Sequence, residues 1–217
     1  MKITRTESIF VGTFFLLAMA GSLVGAGLIE PVIAASDPLS AVMGNQGTLL
    51  AGIFLELTCA ICVVGIAMFM FQIMKTATPA LAAGYLGFRT VEAVFCALIT
   101  IAPVSLIALS RMPDSASADT AVQVVLLIRS FSIGLPLALF FCLGALCLYP
   151  GLYFGGLLPR FIPVWGLIAV ALVLVMNVAG QYFPIQLEIK LMLALPMILN
   201  EIFMGFWLIV KGFNQNA

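Results

Sequence analysis

Six long apolar runs fill nearly the whole of this 217-residue sequence. A helix that crosses a bilayer needs about 20 predominantly apolar residues, and each run reaches that length. Only 8% of the residues are charged, whereas a soluble domain carries roughly 25%, so this chain could not cover a water-facing surface. We therefore predict an all-α polytopic membrane protein, a single domain over residues 1–217 built as a bundle of six transmembrane helices. The predicted helices are about 9–33, 49–74, 80–109, 120–149, 162–182 and 187–211.

The basic residues outside the apolar runs indicate the orientation of the bundle, because cytoplasmic loops carry an excess of lysine and arginine. Five basic residues fall on one side and two on the other. This bias predicts that both ends of the chain are cytoplasmic (N-in/C-in). The five are Lys2, Arg5, Lys75, Arg160 and Lys211, and the two are Arg111 and Lys190.

Small residues and prolines within the runs predict local features of the helices. Gly21 and Gly25 are four residues apart in the first run, a spacing that allows another helix to approach closely. Pro136 lies inside the fourth run. Because proline lacks a backbone N–H and clashes with the preceding turn, we expect a kink there.

Charged residues deep within the apolar runs are the feature that bears most on function. One such side chain facing lipid costs about 2.5–3.5 kcal/mol, so five would cost on the order of 15 kcal/mol. We therefore expect these side chains to face the interior of the bundle and to satisfy one another. Arg89 and Glu92 are three residues apart on one predicted helix, so they can form an ion pair directly. The deep charged residues are Glu56, Arg89, Glu92, Arg129 and Glu201.

The charges of this predicted cluster do not balance, because it holds three acids and two bases. Either one carboxyl is protonated, or a cation or a ligand amine completes the balance. Ionisable groups inside a membrane are functional candidates by default, although buried ion pairs can also serve only to fix helix packing. The predicted ligand-binding residues are Glu56, Arg89, Glu92, Arg129, Glu201 and Asn200, and Gln123, Ser130, Ser132 and Asn177 are further polar residues that could face the same cavity.

The composition excludes several other kinds of site. The chain has no histidine, which removes the commonest metal ligand and the usual proton shuttle at neutral pH. Three dispersed carboxylates do not suit zinc, so we predict neither a metal site nor a cofactor. Nine basic and nine acidic residues cancel, so the chain has no electrostatic footprint for nucleic acid.

All the cysteines lie inside apolar runs and not in loops. A secreted disulfide framework would place them in polar segments, so we predict buried free thiols. Cys59 and Cys62 form a CxxC motif, which leaves a redox role as the alternative, but their flanking residues are not those of a redox turn. The five cysteines are Cys59, Cys62, Cys96, Cys142 and Cys147.

Three motifs carry a resemblance to a known family: FRTVEAV in the third run, GGLLPRFIPVWGLI leading into the fifth, and LNEIFMGFWLIVKGF in the sixth. In order and spacing they are similar to those of a bacterial six-helix membrane family catalogued as domain of unknown function 4386. The resemblance extends from the first helix to Lys211. It implies a bacterial inner-membrane protein and no particular reaction. It places Arg89, Glu92, Arg160 and Glu201 at the family's recurring polar positions.

Three functions are compatible with these features. The first is binding or transport of a small or amphipathic, lipid-like molecule at the polar cluster, in contact with membrane lipids. Six helices without a visible repeat are few for alternating access, so transport would favour a homo-oligomer. The second is an intramembrane enzyme in which a buried glutamic acid protonates a lipid or isoprenoid substrate. The third is a structural or accessory protein. The sequence leaves open which applies, so enzymatic activity stays undecided, with Glu56, Glu92 and Glu201 as the catalytic candidates.

Overall fold

The protein is described by a computed structural model that covers residues 3–112, 116–183 and 185–214. Within these residues the secondary structure is helical, without a strand, which confirms the predicted all-α class. Lys2, one of the basic residues that predict the orientation, lies outside the described ranges. The helices are α1 (Arg5–Ile33), α2 (Pro38–Gly44), α3 (Gln46–Met74), α4 (Pro79–Leu98), α5 (Ile101–Leu109), α6 (Ala116–Ile133), α7 (Leu135–Phe154), α8 (Phe161–Ala179) and α9 (Leu187–Val210).

Six helical segments in the described residues are long and apolar enough to cross a membrane, as the sequence predicts. α1, α3, α8 and α9 each form one span, whereas α4 with α5 forms the third span and α6 with α7 forms the fourth. The fourth span runs over Ala118–Phe154 and so extends beyond the predicted end at 149. Pro150 lies inside α7 and does not end it.

Proline accounts for the breaks in the third and fourth spans. α4 ends at Leu98 and α5 begins at Ile101, so the third span is interrupted at Ile99. In an unbroken helix the N–H of residue 103 would bond to the carbonyl of Ile99, but Pro103 has no N–H to give. The fourth span is interrupted at Gly134, two residues before Pro136, where the sequence predicts a kink.

The six spans pack as a closed ring. α1 contacts α3, α3 contacts α4, α4 contacts α7, α7 contacts α8, α8 contacts α9, and α9 returns to α1. α5 and α6 pack on each other, and the short helix α2 contacts α1, α3 and α5. The ring therefore encloses an interior space that is walled by all six spans.

The contact between α1 and α3 depends on the small residues that the sequence singles out. A Cβ atom on Gly21 would lie 2.6 Å from the carbonyl oxygen of Leu55. A Cβ atom on Gly25 would lie 3.1 Å from the Cγ atom of Glu56. At Gly21 a larger residue would displace α3, whereas at Gly25 the neighbouring atoms would have to give by only a few tenths of an ångström. The two glycines therefore let α1 approach α3 closely beside Glu56.

The two ends of the described chain are joined at one end of the bundle. The Arg5 guanidinium donates hydrogen bonds to the carbonyl oxygens of Leu208 at 3.3 Å, Val210 at 2.9 Å, and Ile209 between them. A cation placed at the C-terminal end of α9 also interacts favourably with the helix dipole. The start of α1 and the end of α9 therefore lie on the same side, as an even number of spans requires.

We predict that this side of the bundle is the cytoplasmic side. The turn between α1 and α2 and the turn between α3 and α4 lie at opposite ends, with Ser36 and Thr76 exposed in them. A membrane-impermeant maleimide applied outside intact cells should label a Ser36→Cys variant and leave a Thr76→Cys variant unlabelled. The wild-type chain is the control, since its own cysteines lie within helices. Labelling of position 76 and not position 36 would reverse the orientation.

Candidate ligand-binding site

The buried charges form two separate ionic groups and not the single cluster that the sequence predicts. The first, called here the Arg129 group, consists of Arg129 from α6, Glu56 from α3 and Glu30 from α1. Nη1 and Nη2 of Arg129 donate to the two carboxylate oxygens of Glu56 at 3.0 and 2.7 Å. Nε and Nη2 donate to Oε1 of Glu30 at 3.1 and 2.9 Å. The Arg129 side chain is only 2% exposed.

The break in the third span supplies a further partner for this arginine. Nη1 of Arg129 donates to the carbonyl oxygen of Ile99 at 2.6 Å. This is the carbonyl for which Pro103 cannot provide a helical N–H. With this bond all five N–H donors of the guanidinium are used. Arg129 thus connects α1, α3 and the break in the third span to α6.

Glu30 belongs to this group but is not among the deep charged residues that the sequence predicts. It lies near the end of the first apolar run, and its side chain is 49% exposed, so nothing in its own position predicts an interior partner. Arg129 itself indicates that a second acceptor is needed, because a buried guanidinium has five donors and one carboxylate cannot occupy all of them.

The second group, called here the Arg89 group, is formed within α4. Nη1 of Arg89 donates to both carboxylate oxygens of Glu92, at 3.0 and 2.8 Å, which confirms the predicted ion pair. The guanidinium carbon also lies 5.8 Å from the ring centre of Tyr85 and 5.5 Å from that of Phe141. Such cation–π contacts strengthen when the site excludes water, and both members of the ion pair are buried.

Two donors beside this ion pair lack a partner among the described residues. They are the Nε atom of Arg89 and the hydroxyl of Tyr85, and both atoms are buried. An unsatisfied buried donor costs about 1–3 kcal/mol. The Arg89 group is therefore less fully hydrogen bonded than the Arg129 group.

Glu201 is the remaining deep acid. It lies on α9 and is 9% exposed. In the described part of the chain no side chain or backbone group donates a hydrogen bond to its carboxyl. The expectation that all five deep charges satisfy one another is therefore not met by a hydrogen bond at Glu201, although the charge of Arg89 acts on this carboxyl.

A cavity of about 340 Å³ lies inside the ring of spans. Both ionic groups contribute to its wall, through Glu56 of the Arg129 group and through Arg89 and Glu92 of the Arg89 group, and Glu201 joins them. The rest of the wall is almost entirely apolar, with contributions from α1, α3, α7, α8 and α9. Leu23 on α1 and Ile133 at the break in the fourth span also line the cavity and are 50% and 40% exposed.

The structure does not place every predicted site residue at the cavity. Arg129 stands behind Glu56, and Asn200 packs elsewhere in the interior. The amide nitrogen of Asn200 donates to the carbonyl oxygen of Ile162 at 3.0 Å, and its amide oxygen accepts from the Tyr149 hydroxyl at 2.8 Å. Asn200 therefore joins α7, α8 and α9 as a structural residue.

The other polar residues that could have faced the cavity do not line it. Gln123 and Ser130 are exposed. Ser132 and Asn177 each donate to a carbonyl oxygen of their own helix, four residues earlier. Polar side chains in an apolar helix commonly satisfy themselves in this way, so their presence in the sequence does not locate a cavity.

The cysteines are free thiols in the structure, as predicted, and all lie within helices. Cys59 and Cys96 line the cavity. Among the described residues no three acidic or cysteine side chains converge in a way that could hold a metal ion. The chemistry that this site offers is therefore ionic and hydrogen-bonding contact with a molecule that also fits an apolar wall.

A ring of six spans around a partly charged cavity defines an integral membrane protein with a buried polar site. The chain belongs to the family described as Domain of unknown function (DUF4386), whose family model matches residues 10–212. The match covers nearly the whole chain and confirms the resemblance carried by the three motifs. Neither a curated protein nor a solved structure matches the chain.

Proposed function

We propose that this protein binds or transports a small amphipathic molecule in the cavity inside its ring of helices. The observation that carries this proposal is the composition of the cavity wall, in which a few charged groups stand in an otherwise apolar surface. Ligand pockets in proteins have this character, with apolar walls that supply contact area and a small number of polar groups that fix orientation. The volume of about 340 Å³ falls at the lower end of the roughly 300–1,000 Å³ typical of such pockets.

The exposed fractions of two cavity-lining residues, 50% for Leu23 and 40% for Ile133, support a ligand that enters from the lipid. The cavity is lined by Leu23 on α1 and by Ile133 and Leu137, which flank the break at Gly134. Breaks at the ends of helices can absorb changes in backbone angle. In this proposal, movement of α6 relative to α7 at this break opens a path between the bilayer and the cavity, through which the molecule enters.

The two ionic groups have different roles in this proposal. The guanidinium of the Arg129 group is fully hydrogen bonded and joins α1, α3 and the break in the third span to α6, as a structural ion pair does. A purely structural role therefore explains the contacts of Arg129. It does not explain why three carboxylates lie in the otherwise apolar wall of a cavity. An intramembrane enzyme would use the same cavity. The carboxylates of Glu56 and Glu92 are each bonded through both oxygens to an arginine, which leaves Glu201 as the catalytic candidate that is not held in this way. No observation favours catalysis over binding.

The site of action in this proposal is the plasma membrane, which in a bacterial cell is the inner membrane. Membrane lipids surround the exposed apolar side chains of the spans, such as Phe54, Leu127 and Phe131. Transport through six helices would be assisted by a homo-oligomer, in which neighbouring copies support the moving parts.

A substitution that fills the cavity tests this proposal. Ala194 on α9 lines the cavity, and its neighbour Leu195 is exposed on the outside of the bundle. We expect native mass spectrometry of the wild-type protein, released from membranes in a mild detergent, to show a bound small molecule. An Ala194→Phe variant should lose that bound mass because the new ring occupies the cavity, while a Leu195→Phe control should retain it.

Two results would count against the proposal. Retention of the same bound molecule by the Ala194→Phe variant would place that molecule outside the cavity. A wild-type protein that carries no small molecule, even after incubation with a lipid extract of its own membrane, would favour the structural role.

A further inference from the structure

Glu201 is the carboxyl in the cavity wall that no described group satisfies. It is nine-tenths buried and lines the cavity. By contrast, Glu56 and Glu92 each accept hydrogen bonds through both oxygens from an arginine. A buried polar group without a partner is costly, and cases in native proteins call for an explanation such as a bound molecule. The free carboxyl is therefore the natural contact for whatever enters the cavity.

The charges around the cavity show which kind of molecule would satisfy Glu201. The Arg89 group contains one guanidinium and one carboxylate, which compensate each other at 2.8 Å. The Arg129 group contains one guanidinium and two carboxylates. Arg89 is the cation whose charge acts on Glu201, but Arg89 is already paired with Glu92, and Arg129 is the one further buried cation among the described residues. With Glu201 ionised, the buried residues that the structure describes would carry three negative and two positive charges, so one positive charge would be missing.

We infer that the cavity takes a lipophilic ammonium ion, a protonated amine on an apolar body, whose N–H groups are hydrogen bonded to the Glu201 carboxylate. This inference rests on the proposed function and specifies its ligand class. Such an amine fits both the unpaired carboxyl and the apolar lining of the cavity. Its ammonium head compensates Glu201, and its hydrocarbon part packs against the apolar wall. Charge-assisted hydrogen bonds of this kind are the strong ones in a water-poor site.

An inorganic cation does not fit the same wall. Calcium takes six to eight oxygen ligands and magnesium demands a near-octahedral set, whereas no three acidic or cysteine side chains of the described residues converge on one point. An anion fits less well than a cation. The unpartnered Nε of Arg89 could donate to an anion, but that atom is buried away from the cavity surface and the charge of Arg89 is already compensated by Glu92.

Three probes of similar size but different charge test whether the cavity prefers a cationic, a neutral or an anionic ligand. They are 4-phenylbutylamine, which is cationic at neutral pH, 4-phenylbutanol, which is neutral, and 4-phenylbutyrate, which is anionic. Binding of each to the full-length protein in a non-ionic detergent is measured by isothermal titration calorimetry. We expect the amine to bind about tenfold or more tightly than the alcohol, as the gain of a charge-assisted hydrogen bond predicts, and the carboxylate to bind weakest.

Two variants assign the selectivity to Glu201. Glu201→Gln should bind the amine about tenfold or more weakly than the wild type while its affinity for the alcohol is unchanged. Glu188→Gln removes an exposed acid from the same helix and should bind all three probes as the wild type does. The comparison of the three probes on the wild-type protein is decisive even if Glu201→Gln does not fold.

The outcomes distinguish the ligand class from the proposed function. Equal affinity for the amine and the alcohol, or preference for the carboxylate, would overturn the inference while leaving an amphiphile-binding cavity in place. An unchanged affinity of Glu201→Gln for the amine would overturn the assignment to this residue. Absence of binding by all three probes would count against the proposed function and the inference together.

Discussion

An Arg129→Met variant is expected to lose about 3–5 kcal/mol of stability, the cost of breaking a buried ion pair and leaving its acid uncompensated. Glu56 would be the stranded acid, since it is buried beside Arg129. The carbonyl of Ile99 would also lose its donor, which adds about 1–3 kcal/mol for an unsatisfied buried acceptor. Thermal unfolding of the purified protein in a non-ionic detergent, followed by circular dichroism, measures the effect.

Two further variants identify the cause of that loss. Arg111→Met removes an exposed arginine and should unfold close to the wild-type temperature. Adding Glu56→Gln to Arg129→Met should recover part of the stability, because the stranded side chain is then neutral. If Arg129→Met unfolded at the temperature of Arg111→Met, the interior network of hydrogen bonds around Arg129 would have no energetic importance.

An Arg89→Met variant is expected to be destabilised for a related reason and by a similar amount. It would leave Glu92 buried without the guanidinium that contacts both of its oxygens, at a cost of about 3–5 kcal/mol. The double variant Arg89→Met with Glu92→Gln should be milder, because neither charge of the pair is stranded. The free energies of the wild type, the two single variants and the double variant form a double-mutant cycle, again measured by thermal unfolding in detergent.

Additive effects in that cycle would show that Arg89 and Glu92 do not interact. If the effects are coupled and the double variant stays folded, the same protein separates a binding site from a scaffold. Loss of the bound molecule from the folded double variant would identify the Arg89 group as part of a binding site. Retention of that molecule would show that the Arg89–Glu92 pair has only a structural role in α4.

The number of spans and the Arg89–Glu92 pair could be predicted from the sequence because both depend on local properties. The length of an apolar run decides whether a helix can cross a bilayer, whatever the helix packs against. Residues three apart on a helix are neighbours in any fold that keeps the helix intact. For the same reason the close contact at Gly21 and Gly25 and the break near Pro136 agree with their predictions.

The partners of the other buried charges could not be predicted, because they depend on the rotation of each helix about its axis and on its position along the bundle axis. Arg129 meets Glu30 from α1 and the Ile99 carbonyl from the third span, and neither is near it in sequence. Asn200, in turn, is held by Tyr149 and Ile162 and is not part of the cavity wall. A one-residue difference in rotation on any of these helices would have changed these contacts.

By itself, the sequence determined that this chain forms six apolar helices and that its deep charges must turn away from lipid, because the cost of exposing them does not depend on the fold. Only the tertiary structure decided that the charges divide into two groups and that Glu201 has no hydrogen-bond donor among the described residues. The physical reason is that hydrogen bonds require donors and acceptors within about 3 Å, and distances of that kind between helices are set by packing and not by spacing along the chain.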